Sequence, residues 1–361
     1  MGGSRVLSEA TAGPMPGRVL FLSQQDTLAA GAGDMRLAMQ AVEKALLARH
    51  RGDTILPSKV VLRWGDVSTE TTVGRINVMP AYVGEPYRMA GLKWIGSKPS
   101  NLDGGLPRAG GLIVLNDPET MFPVAVMDAS VISAMRTGAV SGLAARHLAP
   151  RGSRRLVVVG AGVQGRTQAL AIVAGVPSIE TVLFYDVDRD RAGACARAVE
   201  RAANRPCQAI DDLRAAVRQA DVVVTATTAS RPVLDAGMLG PGGWLVIQIA
   251  GYDVEVDVLQ RAAKIVVDDW DEVIHRGIST VARAAQLGLI TRQALHAQLG
   301  AILAGEQSGR ERPDEGIFFN AIGLAVEDVA LATEVLQRAR RLGIGRELAL
   351  FEPGDWFARV N

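Results

Sequence analysis

The run LVVVGAGVQGRTQAL, from Leu156 to Leu170, constrains the fold more than any other part of the chain. An apolar stretch ends in Gly160, Gly162 and Gly165 and opens directly into a helical pattern. Four further short apolar runs follow, TVLFYD, ADVVVTAT, GWLVIQIA and KIVVDD, each separated from the next by helical spacing. Runs without polar alternation suit strands buried on both faces, and intervening helices supply the crossovers of a parallel sheet. The spacing therefore predicts an α/β fold, a Rossmann-type doubly wound parallel sheet spanning residues 150–317.

The flanking sequence reads differently. A helical pattern covers Met35–His50, and extended segments follow at Val60–Trp64 and Arg75–Val83. Further strands are expected in LKWIGSKPSN, GGLIVLND and PVAVMDA, with a turn at Asp117–Thr120. Ser130–Leu148 is an amphipathic helix with Ser130 available as its N-cap. Phe318–Arg341 returns to a long helical pattern. Residues 1–149 and 318–361 thus form a strand-rich α+β domain beside the first. Lys and Arg total 39 against 38 Asp and Glu, a balance that gives no reason to expect nucleic acid or an anionic membrane. No apolar stretch reaches the roughly 20 residues of a bilayer span. The N-terminus lacks the basic and apolar regions of a secretory signal. Two cysteines, Cys195 and Cys207, in no metal or redox spacing imply unpaired thiols in a reducing compartment, so the expectation is a cytoplasmic protein with a small-molecule partner and no metal.

The glycine spacing has a physical reading. The first glycine permits a tight turn, the second lets a pyrophosphate approach the backbone, and the helix start at Val163 and Gln164 offers amide donors and a positive dipole end. Asp186 closes the next strand about 20 residues on, where a carboxylate accepts ribose hydroxyls and favours NAD over NADP. Arg189 leaves NADP open, because an arginine there accommodates a 2′-phosphate. Thr225 and Thr227 end the strand ADVVVTATTA, where they either line the cofactor crevice or cap the following turn.

Outside this unit, MDASVISAMRTGAVSGLAARHLA, LKWIGSKPSN, MPAY and IGLAVEDVAL together resemble the ornithine cyclodeaminase and mu-crystallin family. The resemblance runs from about Val60 onward. It implies a substrate domain made of the N-terminal part and the C-terminal helix, a Rossmann domain between them, and homodimerisation through the substrate domains. It also implies that Lys93 and Arg136 bind the substrate carboxylate. An arginine fork matches a carboxylate, and a lysine of lowered pKa can move a proton.

Two acids that the cyclodeaminases carry are absent. Asn77 stands where they have a glutamate, and Ala250, Gly251 and Tyr252 replace their GGD triplet. A diamine substrate needs such acids when desolvated. Cations are present instead: Lys59, Arg63, Lys93 and Arg136, then His275 and Arg276 after VVDDWDEV. Individually, Lys59, Arg63, His275 and Arg276 read equally as solvated charge. Together they suit a polyanionic substrate, and LRW, YRMAGLKWIGSKPSN, VDDWDEVIHRG and FFNAIGLAVEDVALA resemble the branch that forms 2,3-diaminopropionate from a tricarboxylate for siderophores and peptide antibiotics. Asp253 either activates water or serves a turn. Three other activities fit the same resemblance: an ornithine or lysine cyclodeaminase, a ketimine reductase or alanine-dehydrogenase-like enzyme, and a non-catalytic cofactor-binding protein.

Overall fold

The structure is a computed structural model that describes residues 17–65, 73–229, 231–249 and 251–351; Ala250 lies outside them. The first sheet contains β1 (Arg18–Leu22), β2 (Thr54–Ile55), β3 (Val60–Trp64), β4 (Gly74–Val83), β5 (Met89–Ser97), β6 (Ala109–Asn116) and β7 (Pro123–Asp128). Strands β4 to β7 are joined antiparallel in sequence order, and β3 and β2 both pair with β4. Because side chains alternate along a strand, register decides which residues share a face. Lys93 pairs with Met79 and Ile113, Asn77 with Val61 and Ile95, and Arg75 with Arg63 and Ser97. These residues have one parity, so Lys93, Asn77, Arg75 and Arg63 lie on a single face.

The second sheet contains β8 (Arg155–Val159), β9 (Thr181–Tyr185), β10 (Cys207–Ala209), β11 (Val222–Thr225), β12 (Trp244–Ile249), β13 (Lys264–Val267), β14 (Ala297–Gln298) and β15 (Gly316–Ala321). Its order is β10-β9-β8-β11-β12-β15-β13-β14, and every pair is parallel. This is the doubly wound sheet that the apolar runs predict. Val157, Val158, Val223 and Val224 are fully buried, as strands covered by helices on both faces require. The last strand of the described residues, β16 (Arg346–Ala349), pairs antiparallel with β1 on the first sheet.

Two local expectations need correction. Phe318 does not begin a helix. It is buried in β15, which lies between β12 and β13, and the helix starts seven residues later, at Ala325–Leu342. GIFFNA is fully buried along its length and has no amphipathic period, so its burial decided its conformation. Nor is Ser130 the N-cap of Ser130–Leu148. The cap is Ala129, and Asp128 accepts hydrogen bonds from the Ser130 backbone and hydroxyl at 2.9 and 3.1 Å. An acid two residues upstream thus does the capping work.

The two sheets are held together by a close helix crossing. Ser130–Leu148 packs against Val163–Gly175, the helix that follows the glycine turn. A Cβ on Gly138 would stand 2.6 Å from the Thr167 carbonyl oxygen, and one on Gly142 would stand 2.6 Å from that of Ala171. Glycine at both positions lets the backbones approach. The helix carrying Arg136 is thereby fixed against the helix carrying the glycine turn. Gly142→Val is expected to cost about 1–3 kcal/mol through overpacking, read as a lowered midpoint in urea denaturation.

Candidate active site

The glycine turn joins β8 to Val163–Gly175. Gly160 has φ +103°, a left-handed conformation, and a Cβ there would meet the Ala226 carbonyl oxygen at 2.6 Å. A Cβ on Gly165 would collide with the Gly160 carbonyl oxygen, so this third glycine serves helix–strand packing. Gly162 differs from both, because nothing lies within 4 Å of a Cβ placed there. No side chain caps the helix, which leaves the first-turn amides of Val163 and Gln164 as donors without intrahelical partners. Open space over a donor-rich backbone at a positive dipole end fits a pyrophosphate.

Asp186 adjoins this turn. One oxygen accepts the Ala161 N–H at 2.8 Å, and the other accepts that of Asp188 at 3.0 Å. Arg189, which left the choice of dinucleotide open, is ion-paired with Asp211. The carboxylate stands at the end of β9, and the nearby arginine is already engaged, an arrangement suited to NAD.

The second group lies where β5, Ser130–Leu148 and Ala325–Leu342 meet. Lys93 is 1% exposed, and its Nζ donates to both Asp328 oxygens at 2.8 Å and to Ser133 Oγ at 3.1 Å. Arg136 donates from Nε to Asp328 Oδ1 and from Nη1 to Glu327 Oε2, each at 2.9 Å. Burial, reinforced by the Arg136 charge, brings Lys93 down to about 7 despite the Asp328 carboxylate. Burial likewise raises Glu327 to about 7, although Arg136 opposes the shift. Glu327 Oε1 is buried without a hydrogen-bond partner.

Lys59 approaches the group from the segment before β3. Its Nζ donates to the carbonyls of Ile322 and Gly323 at 3.0 and 2.8 Å. Burial, with Arg136 and Arg276 nearby, brings it down to about 8. Asp268 accepts the backbone N–H groups of Ile322 and Gly323, both at 2.7 Å, and burial raises it to about 6. Gly323, at φ +75°, lies against the Arg136 guanidinium and leaves no room for a side chain. Arg63 and Arg75 follow on the same sheet face, and Arg276 lies within electrostatic reach of both.

Four residues singled out from the sequence lie apart from this group. Asp253 is 1% exposed, and its oxygens accept from Thr225, Gln248 and Thr227 at 2.9, 3.1 and 3.1 Å. With its acceptor sites filled, it braces the ends of β11 and β12 and offers no free lone pair to activate water. Thr225 is fully buried as a donor in that brace, so it does not line the crevice; Thr227 is half-buried beside it. His275 is exposed and makes no hydrogen bond or ion pair with the described residues of the cation group.

The sequence reading missed Glu327, Asp328, Asp268, Arg75 and Arg108. Arg75 was recoverable, because it shares strand parity with Asn77 in RINVM. Glu327 and Asp328 stood inside a quoted motif, but only the fold shows that they face Lys93 and Arg136.

A doubly wound sheet with a fitted glycine turn, joined to a buried lysine–arginine group, defines an NAD-dependent oxidoreductase. The chain belongs to the ornithine cyclodeaminase/mu-crystallin family, whose model matches residues 24–342. It is 36% identical over 338 residues to N-((2S)-2-amino-2-carboxyethyl)-L-glutamate dehydrogenase of Staphylococcus aureus (92% of this chain, 99% of that one). Among solved structures, it superposes with a TM-score of 0.84 at 30% identity on Thermococcus litoralis Δ1-pyrroline-2-carboxylate reductase in complex with NADH and L-proline, over 91% of this chain and 99% of that one. An archaeal alanine dehydrogenase dimer with bound NAD gives 0.83 at 34%, over 92% and 100%.

The open space at Gly162 gives a discriminating test. Gly162→Val is expected to raise the Kd for NADH at least tenfold in fluorescence titration while leaving the unliganded melting temperature nearly unchanged. Gly165→Val is expected to lower that melting temperature, because its Cβ meets backbone. Asp253→Asn places an amide donor among donors and is expected to cost about 1–3 kcal/mol in denaturant unfolding.

Proposed function

We propose that this chain is an NAD-dependent amino-acid dehydrogenase that oxidises N-(2-amino-2-carboxyethyl)-L-glutamate to 2-oxoglutarate and 2,3-diaminopropionate, a precursor for siderophores or peptide antibiotics. The observation that carries the reading is a surplus of cations. Lys93, Arg136 and Lys59 are answered by Asp328, Glu327 and Asp268. Arg63 and Arg276 adjoin them with no ion pair to a described carboxylate. A substrate with one carboxylate leaves that excess unmatched, whereas this substrate brings three. The 36% identity to the staphylococcal enzyme supports the same reading.

Arg136 has its Nε and one Nη1 bond engaged, so the remaining face of the guanidinium is held ready for the α-carboxylate. Lys93 takes the proton of the secondary amine, which its lowered pKa permits near neutrality. NAD, held at the glycine turn and Asp186, would supply the hydride acceptor for the glutamate α-carbon. Water adds to the resulting imine carbon, and the carbon–nitrogen bond breaks to release the two products. One water is consumed and one proton released per hydride transferred. Asn77 occupies the same sheet face and, being neutral, adds no negative charge to compete with the substrate carboxylates.

We further infer a homodimer formed through the opposite face of the first sheet. Leu62, Trp64, Trp94 and Leu112 are exposed there, with opposite parity to Lys93. A cleft of about 600 Å³ at that end of the sheet is lined by Trp64, Ile76, Gly96 and Gly110, and also by Arg75 and Lys98. Trp94→Glu is expected to shift sedimentation from dimer to monomer.

The reaction is tested by absorbance of reduced nicotinamide, with product assays, for the adduct, ornithine and alanine in parallel. The expected result is NADH and 2-oxoglutarate in equal amounts from the adduct alone. Ammonia and proline from ornithine without net NADH would make the chain a cyclodeaminase and overturn the proposal. Lys93→Met is expected to lower kcat by about 10²–10⁴. Because neutral Lys93 is the competent form, kcat/KM should fall about tenfold per pH unit below about 7.

A further inference from the structure

We infer that Arg75, with Arg63, Arg108 and Arg276 around it, forms a second anion subsite that takes a distal carboxylate of the substrate, apart from the one held by Lys93 and Arg136. The inference rests on the proposed function for the ligand's identity, while its geometry is independent of the reaction. Arg75 and Arg63 are paired directly across β4 and β3, on the face that also carries Asn77 and Lys93. Arg108 leads into β6 beside them, and Arg276 ends the helix Trp270–Arg276, which follows β13 of the second sheet. The group is thus assembled from both sheets.

Like charges placed directly opposite each other on a sheet destabilise it. Four arginines gathered together therefore need an explanation. No described carboxylate lies within ion-pair distance of any of them, and no described carboxylate offsets the lowering of Arg75, Arg108 or Arg276 by burial, with neighbouring arginines adding to it at Arg75 and Arg276. Lys93, four residues along the same face, and Arg136, on the helix beside it, are both paired with acids. The Nε donors of Arg75 and Arg108 and the Asn77 Oδ1 acceptor are all buried without a partner. A buried guanidinium N–H without an acceptor loses both hydration and hydrogen bond, a cost that a bound carboxylate removes.

The spacing suits one extended ligand. The Arg75 and Lys93 rows stand four residues apart along β4, about 13 Å, and side chains as long as these close much of that distance. Asn77 lies between them. An acid with carboxylates at both ends of a short carbon chain spans such a site, and one with a single carboxylate fills only the Lys93 end.

The test compares two oxo acids that differ in the distal carboxylate, 2-oxoglutarate and pyruvate, by calorimetric titration of the full-length enzyme saturated with NADH. The expected result is that 2-oxoglutarate binds at least tenfold more tightly than pyruvate. Arg75→Gln should abolish that preference, raising the 2-oxoglutarate Kd tenfold or more while changing the pyruvate Kd less than about twofold. Melting temperature supplies a readout that a structural role would move the other way. If Arg75 serves a ligand, removing one of four repelling cations leaves the empty enzyme as stable as the wild type or more so. Arg276→Gln, on the opposite side of the group, is the second variant and should show the same loss of preference. Equal binding of the two acids by wild type, equal weakening of both by either variant, or a drop in melting temperature in Arg75→Gln without loss of preference would overturn the subsite. A preserved preference without NADH formation from the adduct leaves the subsite standing and defeats the proposed reaction.

Discussion

The buried ion group of Lys93, Arg136, Asp328 and Glu327 is the constraint on which the rest of the structure depends. Two cations and two carboxylates almost without water are costly to desolvate, and such a group holds only when every partner is in place. It ties a strand of the first sheet to the Ser130 and Ala325 helices. Apolar residues of the same volume would pack there at least as stably. The charged set is intelligible as chemistry, because mutual compensation keeps Lys93 poised near neutrality and leaves part of Arg136 free to meet a substrate.

Placing that group against the dinucleotide is a matter of backbone contact. Gly138 and Gly142 let the Ser130 helix lie directly on the helix that follows the glycine turn. Arg136 and the glycine turn are therefore on touching elements. Ile322 and Gly323 perform a similar service where β15 leaves the second sheet, since their amides hold Asp268 and their carbonyls hold Lys59. No long loop separates the cofactor unit from the substrate unit at either crossing.

How far the site could be read in advance differs by element. The glycine turn and the position of Asp186 were legible because they depend on backbone conformation and short spacing, which a sequence displays directly. Lys93 and Arg136 became legible through family resemblance, since a lone lysine in an apolar strand reads equally well as a surface side chain. Asp253 stayed open between two roles for a definable reason. A strand-end acid near a crevice has the same local signature whether it is a base or a brace, and only its saturation by Thr225, Gln248 and Thr227 decides. His275 was grouped with Arg276 by adjacency, although neighbours on a helix point about 100° apart and need not share an environment.

By itself the sequence determined the doubly wound sheet, the glycine turn, and the alternation along each strand. These follow from local period, turn chemistry and apolar runs, all of which act over a few residues. Only the tertiary structure decided which acids answer which cations. Asp328 meets Lys93 across 235 positions of chain and Arg136 across 192, and that pairing depends on where one helix lands on one sheet. It also decided that Arg63, Arg75, Arg108 and Arg276 gather without a described acid among them, because charge compensation is a property of neighbours in space and no local pattern encodes it.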